Sequence, residues 1–402
     1  MTQDNGPVLM KPVNLFLDLL NSERAAGILL VICTAISLWL TNSPAGHDYL
    51  AFWHTEFANG SLEYWINDGL MAIFFLMIGL ELEREVYIGE LSTTKKAALP
   101  VIAAFGGMLV PAGIHLLFNH GTPTQAGAGI PMATDIAFAI GILSLLGDRV
   151  PLSLKVFLTA LAVIDDLGAI FTIAIFYSGG IQWAYLGGAM GIFAVLLVLN
   201  RLKVHILTPY LVLGAVMWWL MLHSGVHATV TGVLVAFAIP FGDGKPDTIS
   251  YELQHFLHKP VAFIIMPLFA LANTCIVLEP DWYGHLFTLN SYGIFLGLVV
   301  GKPLGITLFC AAAIGLGLCT LPTGISWKKL FGAACLAGIG FTMSIFITML
   351  AFDDAEHILM SKTTILLSSL VAGIIGFIWL RSVLPHLSPE EAGYEDFGDT
   401  GS

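Results

Sequence analysis

The chain has 402 residues, of which 57% are apolar and only 11% charged, where a soluble domain averages about 25% charged. Its 16 basic and 28 acidic side chains and its mean hydropathy of +0.85 leave too little polar surface for a soluble enzyme, a nucleic-acid binder or a small disulfide-stapled domain. At roughly 30 to 35 residues per apolar span with its connection, the length admits about 12 membrane helices.

The first 24 residues form an N-terminal segment. They lack a basic stretch feeding a short apolar core, so they do not read as a cleaved signal peptide. Residues 13–20 read as a short amphipathic helix on the membrane surface. Hydropathy then predicts spans at 25–41, 64–83, 97–118, 127–146, 153–177, 183–200, 205–222, 225–241, 260–278, 291–316, 329–351 and 359–383, one helical domain over 25–384. The loop at 43–63 alternates polar and apolar residues (His47, Tyr49, Phe52, His54, Glu56) and runs into Asn59-Gly60, a hairpin pattern. After Arg381 there is no base, and Glu390, Glu391, Glu395, Asp396 and Asp399 make 385–402 an acidic, solvated tail. Much of the net charge of −12 therefore sits in tails and loops and says little about partners. The five cysteines are odd in number and have no CxxC spacing, so they read as small core residues.

Basic residues set the topology. With the N-terminus inside and loops alternating, Lys11, Arg24, Arg84, Lys95, Lys96, Arg149, Lys155, Arg201, Lys203, Lys245, Lys259, Lys328, Lys329 and Arg381 all fall on the inner side. Lys362 falls outside, and Lys302 lies within a span. The positive-inside bias thus predicts both termini in the cytoplasm.

Four charges stand where lipid-spanning helices should have none. Asp135 lies amid Pro131-Met132-Ala133-Thr134-Asp135-Ile136-Ala137-Phe138, Asp165 and Asp166 lie midway along the next span, and Lys302 is central in 296–308. A charge at the bilayer centre costs about 2.5–3.5 kcal/mol on insertion scales, so such residues face a protein interior or a wet cavity and mark ion or proton paths. Packing salt bridges are the plainer alternative, but one lysine cannot satisfy two adjacent carboxylates. Burial and mutual repulsion both work against two charges side by side, so such a pair readily holds a proton. Once ionised it offers hard oxygen ligands to a small dehydrated cation such as Na⁺ or Li⁺. Proton and cation then compete, and a site that opens alternately to the two sides yields antiport. Helical neighbours sit about 100° apart, which predicts one acid facing the ion and the other a partner such as Lys302.

Backbone signals accompany the charges. Gly127, Gly129 and Pro131 precede Asp135, Gly301 and Pro303 flank Lys302, and Gly338-Ile339-Gly340-Phe341-Thr342-Met343-Ser344 interrupts the eleventh span. Close helix packing accounts for glycines of this kind. Discontinuous helices account for them too, and their exposed ends would be neutralised by a nearby aspartate and lysine.

At these residues the sequence resembles the NhaA-type bacterial sodium/proton antiporters. The resemblance runs from about Trp65 to Leu380. Six segments carry it in order: Phe74-Phe75-Leu76-Met77-Ile78-Gly79-Leu80-Glu81, Ala133-Thr134-Asp135-Ile136-Ala137-Phe138-Ala139, Ile164-Asp165-Asp166-Leu167-Gly168-Ala169, Ser224-Gly225-Val226-His227-Ala228-Thr229, Gly301-Lys302-Pro303-Leu304-Gly305 and Gly338-Ile339-Gly340-Phe341-Thr342-Met343-Ser344-Ile345-Phe346. It implies an all-α polytopic membrane protein of about 12 helices, built from inverted repeats, whose fourth and eleventh helices are discontinuous and cross at mid-membrane. The two halves of this sequence are only faintly alike. The resemblance also implies an electrogenic exchanger of Na⁺ or Li⁺ for protons without a cofactor, serving pH regulation and salt tolerance in the bacterial inner membrane. Asp166 would be the principal carrier beside Asp165, which pairs with Lys302 in the ion-free state, while Asp135 and Thr134 line the crossing. A homodimer in contact through 43–63 is implied, as is a cytoplasmic pH-response cluster matching Glu81, Arg84, Glu85, His255 and His258. Gln254 and Glu83 depart from the family there, where Glu and a base are usual. Gly338, Gly340 and Pro303 are expected at helix breaks. His227, in a Gly/Thr-rich segment, reads as a packing residue.

Two rival classes fit less well. An intramembrane Asp-dependent enzyme of the aspartyl-protease kind would need a GxGD context, and head-group transferases need further spaced acids; after Asp166 come Leu167-Gly168-Ala169-Ile170. A passive cation channel relies on rings of ligands from several chains, whereas these charges lie within one.

Overall fold

The computed structural model describes residues 23–384, except Asn59, Glu90, Glu279 and Asp281. The expected surface helix at 13–20 and the acidic tail at 385–402 lie outside the described residues. Near the N-terminal end, α1 (Glu23–Thr41) is followed by a short helix α2 (Gly46–Trp53) and two antiparallel strands of two residues each, β1 (Glu56–Phe57) and β2 (Gly60–Ser61). Next come α3 (Leu62–Tyr87) and α4 (Thr94–Asn119). A 3₁₀ segment α5 (Pro123–Met132) and the helix α6 (Ile136–Ser144) form a bent pair, and α7 (Leu152–Phe176), α8 (Trp183–Arg201), α9 (Leu207–Leu222) and α10 (Val230–Ala238) follow. The remainder is α11 (Ile249–Asn273), α12 (Leu289–Gly315), a second bent pair α13 (Trp327–Ala337) and α14 (Phe341–Ala351), and α15 (Ala355–Val383).

Eight of these helices are long and apolar enough to cross a membrane, and ten if each bent pair counts as one span. The bends are 41° in α5–α6 and 46° in α13–α14. Every apolar stretch read from the sequence contains a helix or a bent pair, but α9 and α10 are only 16 and 9 residues long. Large apolar side chains such as Trp39, Leu117, Phe171, Phe176, Trp183 and Leu202 stand exposed, the surface a bilayer covers and water does not. The protein is therefore an all-α multi-pass membrane protein.

The helices sort into two packed groups. One contains α4, α5–α6, α7, α12, α13–α14 and α15; the other contains α3, α8, α9, α10 and α11. Between them α1 packs on α6 and on α11. Small residues permit the closest contact in the first group. A Cβ on Gly305 of α12 would lie 2.1 Å from the Gly106 carbonyl of α4, and a Cβ on Gly106 would lie 2.3 Å from the Gly305 carbonyl. This reciprocal approach fixes the turn of α12 that carries Lys302.

Two expectations change in the structure. The hairpin over 43–63 shrinks to the pairs Glu56–Ser61 and Phe57–Gly60. The longest element of that stretch is instead α2, where Tyr49 and Trp53, four residues apart, fall on one helical face with their rings 5.8 Å apart. Pro303 does not break its helix: α12 runs unbroken from Leu289 to Gly315. A π turn at Gly297–Gly301 just before it widens the backbone, which absorbs the missing N–H and the ring clash that proline imposes on an α-helix.

Candidate ion-binding site

The two bent pairs meet at their breaks. Gly338 and Gly340 flank the second break, as C-cap of α13 and N-cap of α14, and a Cβ on Gly338 would lie 2.4 Å from the Leu298 carbonyl of α12. The Asp135 amide donates to the Ile339 carbonyl at 2.7 Å, and the Ser344 hydroxyl donates to the Ile130 carbonyl at 2.7 Å. Asp135 is the N-cap of α6: its Oδ1 accepts from the Phe138 amide at 2.9 Å. Its Oδ2 accepts from the Thr342 amide at 3.1 Å and from the Thr342 hydroxyl, both at the start of α14. One buried carboxylate thus caps two half-helix N-termini, where backbone N–H groups and partial positive charge collect.

The opposite polarity is met by Lys302. Its Nζ donates to the Met132 carbonyl, the last residue of α5, and lies 2.9 Å from Asp165 Oδ2. The Thr134 hydroxyl sits 2.8 Å from the same carboxylate oxygen and 2.9 Å from the Ala337 carbonyl at the end of α13. Lys302, Asp165 and Asp166 are all 0% exposed.

Asp166 differs from every neighbour. Both of its carboxylate oxygens are buried without a hydrogen-bond partner among the described residues, as is Oδ1 of Asp165. Leaving a buried polar atom unpaired costs about 1–3 kcal/mol, and more for a charged group. Three hard oxygen atoms without partners, on adjacent residues of one helix, are suited to a proton or a small cation and poorly suited to packing.

A cavity of about 130 Å³ lies beside this centre, lined by Glu81, His258, Phe74, Thr159, Ile136 and Ala137 among others. Its wall includes the first residues of α6, next to Asp135. Of the other residues matched to the pH-response cluster, Arg84 places its guanidinium 4.9 Å above the Tyr251 ring, which stacks on His255 with centroids 6.1 Å apart. Glu85 lies one turn before Gly89, whose added Cβ would strike its Oε2. These residues thus gather along α3 and α11, with Glu83 buried and its Oε2 unpaired among the described residues. Gln254 is part of α11 beside His255. His227 holds the Tyr177 carbonyl at 3.0 Å through Nε2, a packing contact.

Sequence reasoning passed over several partners: Thr342, and the carbonyls of Met132, Ala337 and Ile339. Thr342 had a signal, since a hydroxyl just after a Gly-x-Gly break is a helix-start residue. The carbonyls had none, because any residue type supplies one.

Comparison with known proteins decides the family. Residues 17–380 match the family model described as Na+/H+ antiporter 1. The chain belongs to this family of antiporters. These are transporters and not enzymes, and they work on transported ions without a cofactor. The Na(+)/H(+) antiporter NhaA of Cytophaga hutchinsonii is 65% identical over 375 residues, covering 93% of this chain and 97% of that one. The protein named Na(+)/H(+) antiporter NhaA 1 in Flavobacterium johnsoniae is 60% identical, covering 93% and 98%. Among solved structures, the sodium proton antiporter MjNhaP1 of Methanocaldococcus jannaschii at pH 8 aligns with a TM-score of 0.51 over 89% of this antiporter and 90% of that chain. At 18% identity this likeness concerns the fold alone.

Proposed function

We propose that this antiporter expels Na⁺ or Li⁺ from the cytoplasm in exchange for external protons, with Asp166 as the principal carrier. The observation that carries the reading is the unpartnered Asp166 carboxylate beside the Asp165–Lys302 pair. In the ion-free arrangement Asp166 holds a proton and Asp165 is neutralised by Lys302. A cation reaching the pair from the Glu81–His258 cavity displaces the proton from Asp166 and draws on the free Oδ1 of Asp165. Thr134, anchored between Asp165 and the end of α13, is placed to add a hydroxyl oxygen. Asp135 neutralises two helix ends, so the site need not reorganise its backbone as charge enters and leaves.

Alternating access follows from movement of one packed helix group against the other, with the bent pairs carrying the site. In this reading twelve spans cross the bacterial inner membrane with both termini cytoplasmic, the α5–α6 and α13–α14 pairs crossing at mid-membrane. Two such chains pair through the 43–63 loop. Exchange is electrogenic, more than one proton entering per cation, and serves pH and sodium homeostasis. Glu81, Arg84, Glu85, His255 and His258 adjust the rate to cytoplasmic pH.

The test is proton flux in sealed proteoliposomes after addition of Na⁺, Li⁺ or K⁺, with and without an imposed voltage. Na⁺ and Li⁺ should drive proton efflux from the side opposite the cation, faster when the voltage favours net charge movement, and K⁺ should not. Cation flux without coupled proton movement would identify a passive channel and overturn the reading.

A further inference from the structure

Glu63 opens α3, in the second helix group, and Lys362 lies on α15, in the first. Their charged ends meet, with Lys362 Nζ 3.9 Å from Glu63 Oε1, and their side chains are only 11% and 17% exposed. On the other carboxylate oxygen, His54 Nδ1 sits 3.5 Å from Glu63 Oε2 and tethers the end of α2 to the pair. The helices α3 and α15 otherwise pack with different partners, so this ion pair spans the boundary between the groups.

Its position along the membrane matters as much. Glu63 lies 18 residues before Glu81 on the same continuous helix, about 27 Å along its axis. Glu81, in the wall of the cavity shared with His258, and the Glu63–Lys362 contact therefore lie toward opposite ends of α3. Lys362 is also the one loop-side base that the positive-inside pattern leaves on the outer face. Withdrawing two charges from water for a single long contact adds little stability. Such a pair is well used to favour one of two arrangements.

We propose that Glu63 and Lys362 form an outer latch: it holds the two helix groups together at the end away from the Glu81–His258 cavity, and it opens once in each transport cycle. The inference deepens the alternating-access reading and rests on it. It does not depend on which aspartate carries the ion.

The test is a reversible staple. In a background with the five native cysteines replaced, Glu63→Cys and Lys362→Cys are joined by a short bifunctional thiosulfonate, and Na⁺-driven proton flux is measured before and after reduction of the same sample. The staple should lower flux at least tenfold and reductant should restore it, with neither single-cysteine protein responding. Flux retained above half with linkage complete by mass spectrometry would overturn the latch. A second variant keeps the native cysteines and leaves no unpaired buried charge: Glu63→Gln with Lys362→Met. Releasing the latch should favour the arrangement open at its own end, raising the apparent KM for Na⁺ supplied on the cavity side at least threefold. An unchanged KM would equally defeat the proposal. Exchange that persists in an Asp166→Asn protein would refute the carrier assignment while leaving the staple result intact, so the two ideas fail separately.

Discussion

Lys302 gives its ammonium to Asp165 at 2.9 Å and to the end of α5, and Asp166, one residue along the same helix, has no hydrogen-bond partner among the described residues. Two chemically identical side chains, about 100° apart, thereby differ: one is held by a fixed cation, and the other is the one proposed above to carry the mobile one.

Replacing Asp166 by Asn keeps the shape and removes the charge. Na⁺-driven proton movement should disappear, by more than a hundredfold, while the protein remains folded by thermal unfolding in detergent. Retained exchange would move the carrier elsewhere.

Lys302→Ala leaves Asp165 and the Met132 carbonyl without their cation. Breaking one side of a buried pair costs about 3–5 kcal/mol, so Tm should fall by several degrees. The double variant Asp165→Asn with Lys302→Met removes both charges and should recover most of that stability. If the single substitution leaves Tm unchanged, the pair does not hold the site together.

Asp135→Ala strips the cap from two helices at once. Loss of one N-cap costs about 0.5–2 kcal/mol, and here two are lost in a site that water reaches poorly. Asp135→Asn keeps one acceptor oxygen and should be the milder change. Equal melting temperatures for the two variants would argue against the shared cap.

At Gly305 a methyl group has no room against the Gly106 carbonyl. Gly305→Ala should push α12 away from α4, displace Lys302 from Asp165 and lower exchange at least tenfold. Gly315, at the far end of α12, has open space around it, and Gly315→Ala should transport normally. Similar rates for both would show that the contact has slack.

Competition also sets the direction of the pH dependence. If the proton and the cation exclude each other at Asp166 as proposed, acidifying the cation-loading side should raise the apparent KM for Na⁺, approaching about tenfold per pH unit where the proton dominates. The rate at saturating Na⁺ should change much less. A KM indifferent to pH across that range would mean the two ions use separate sites.

The membrane class, the helix order and the four buried charges were legible because lipid penalises a charge and rewards long apolar runs, and both effects act on single residues. That only one of Asp165 and Asp166 pairs with Lys302 followed from helical geometry and one lysine. Legibility ended where the backbone took over. The carbonyls of Met132, Ala337 and Ile339 carry no residue signature, and Pro303 looked like a break because nothing in the sequence announced the π turn before it. Glu63 stood in a loop rich in polar residues, so its contact with Lys362 depended on a fold in which residues 299 positions apart become neighbours.

The bonds from Asp135 to Ile339, Phe138 and Thr342 have a mechanical consequence. They yoke α6 to α14, so neither can slide without dragging the other. In the transport cycle proposed above, whatever tilts to face the opposite compartment then travels as a single rigid cradle, its cargo seated between two helix stubs that never part company.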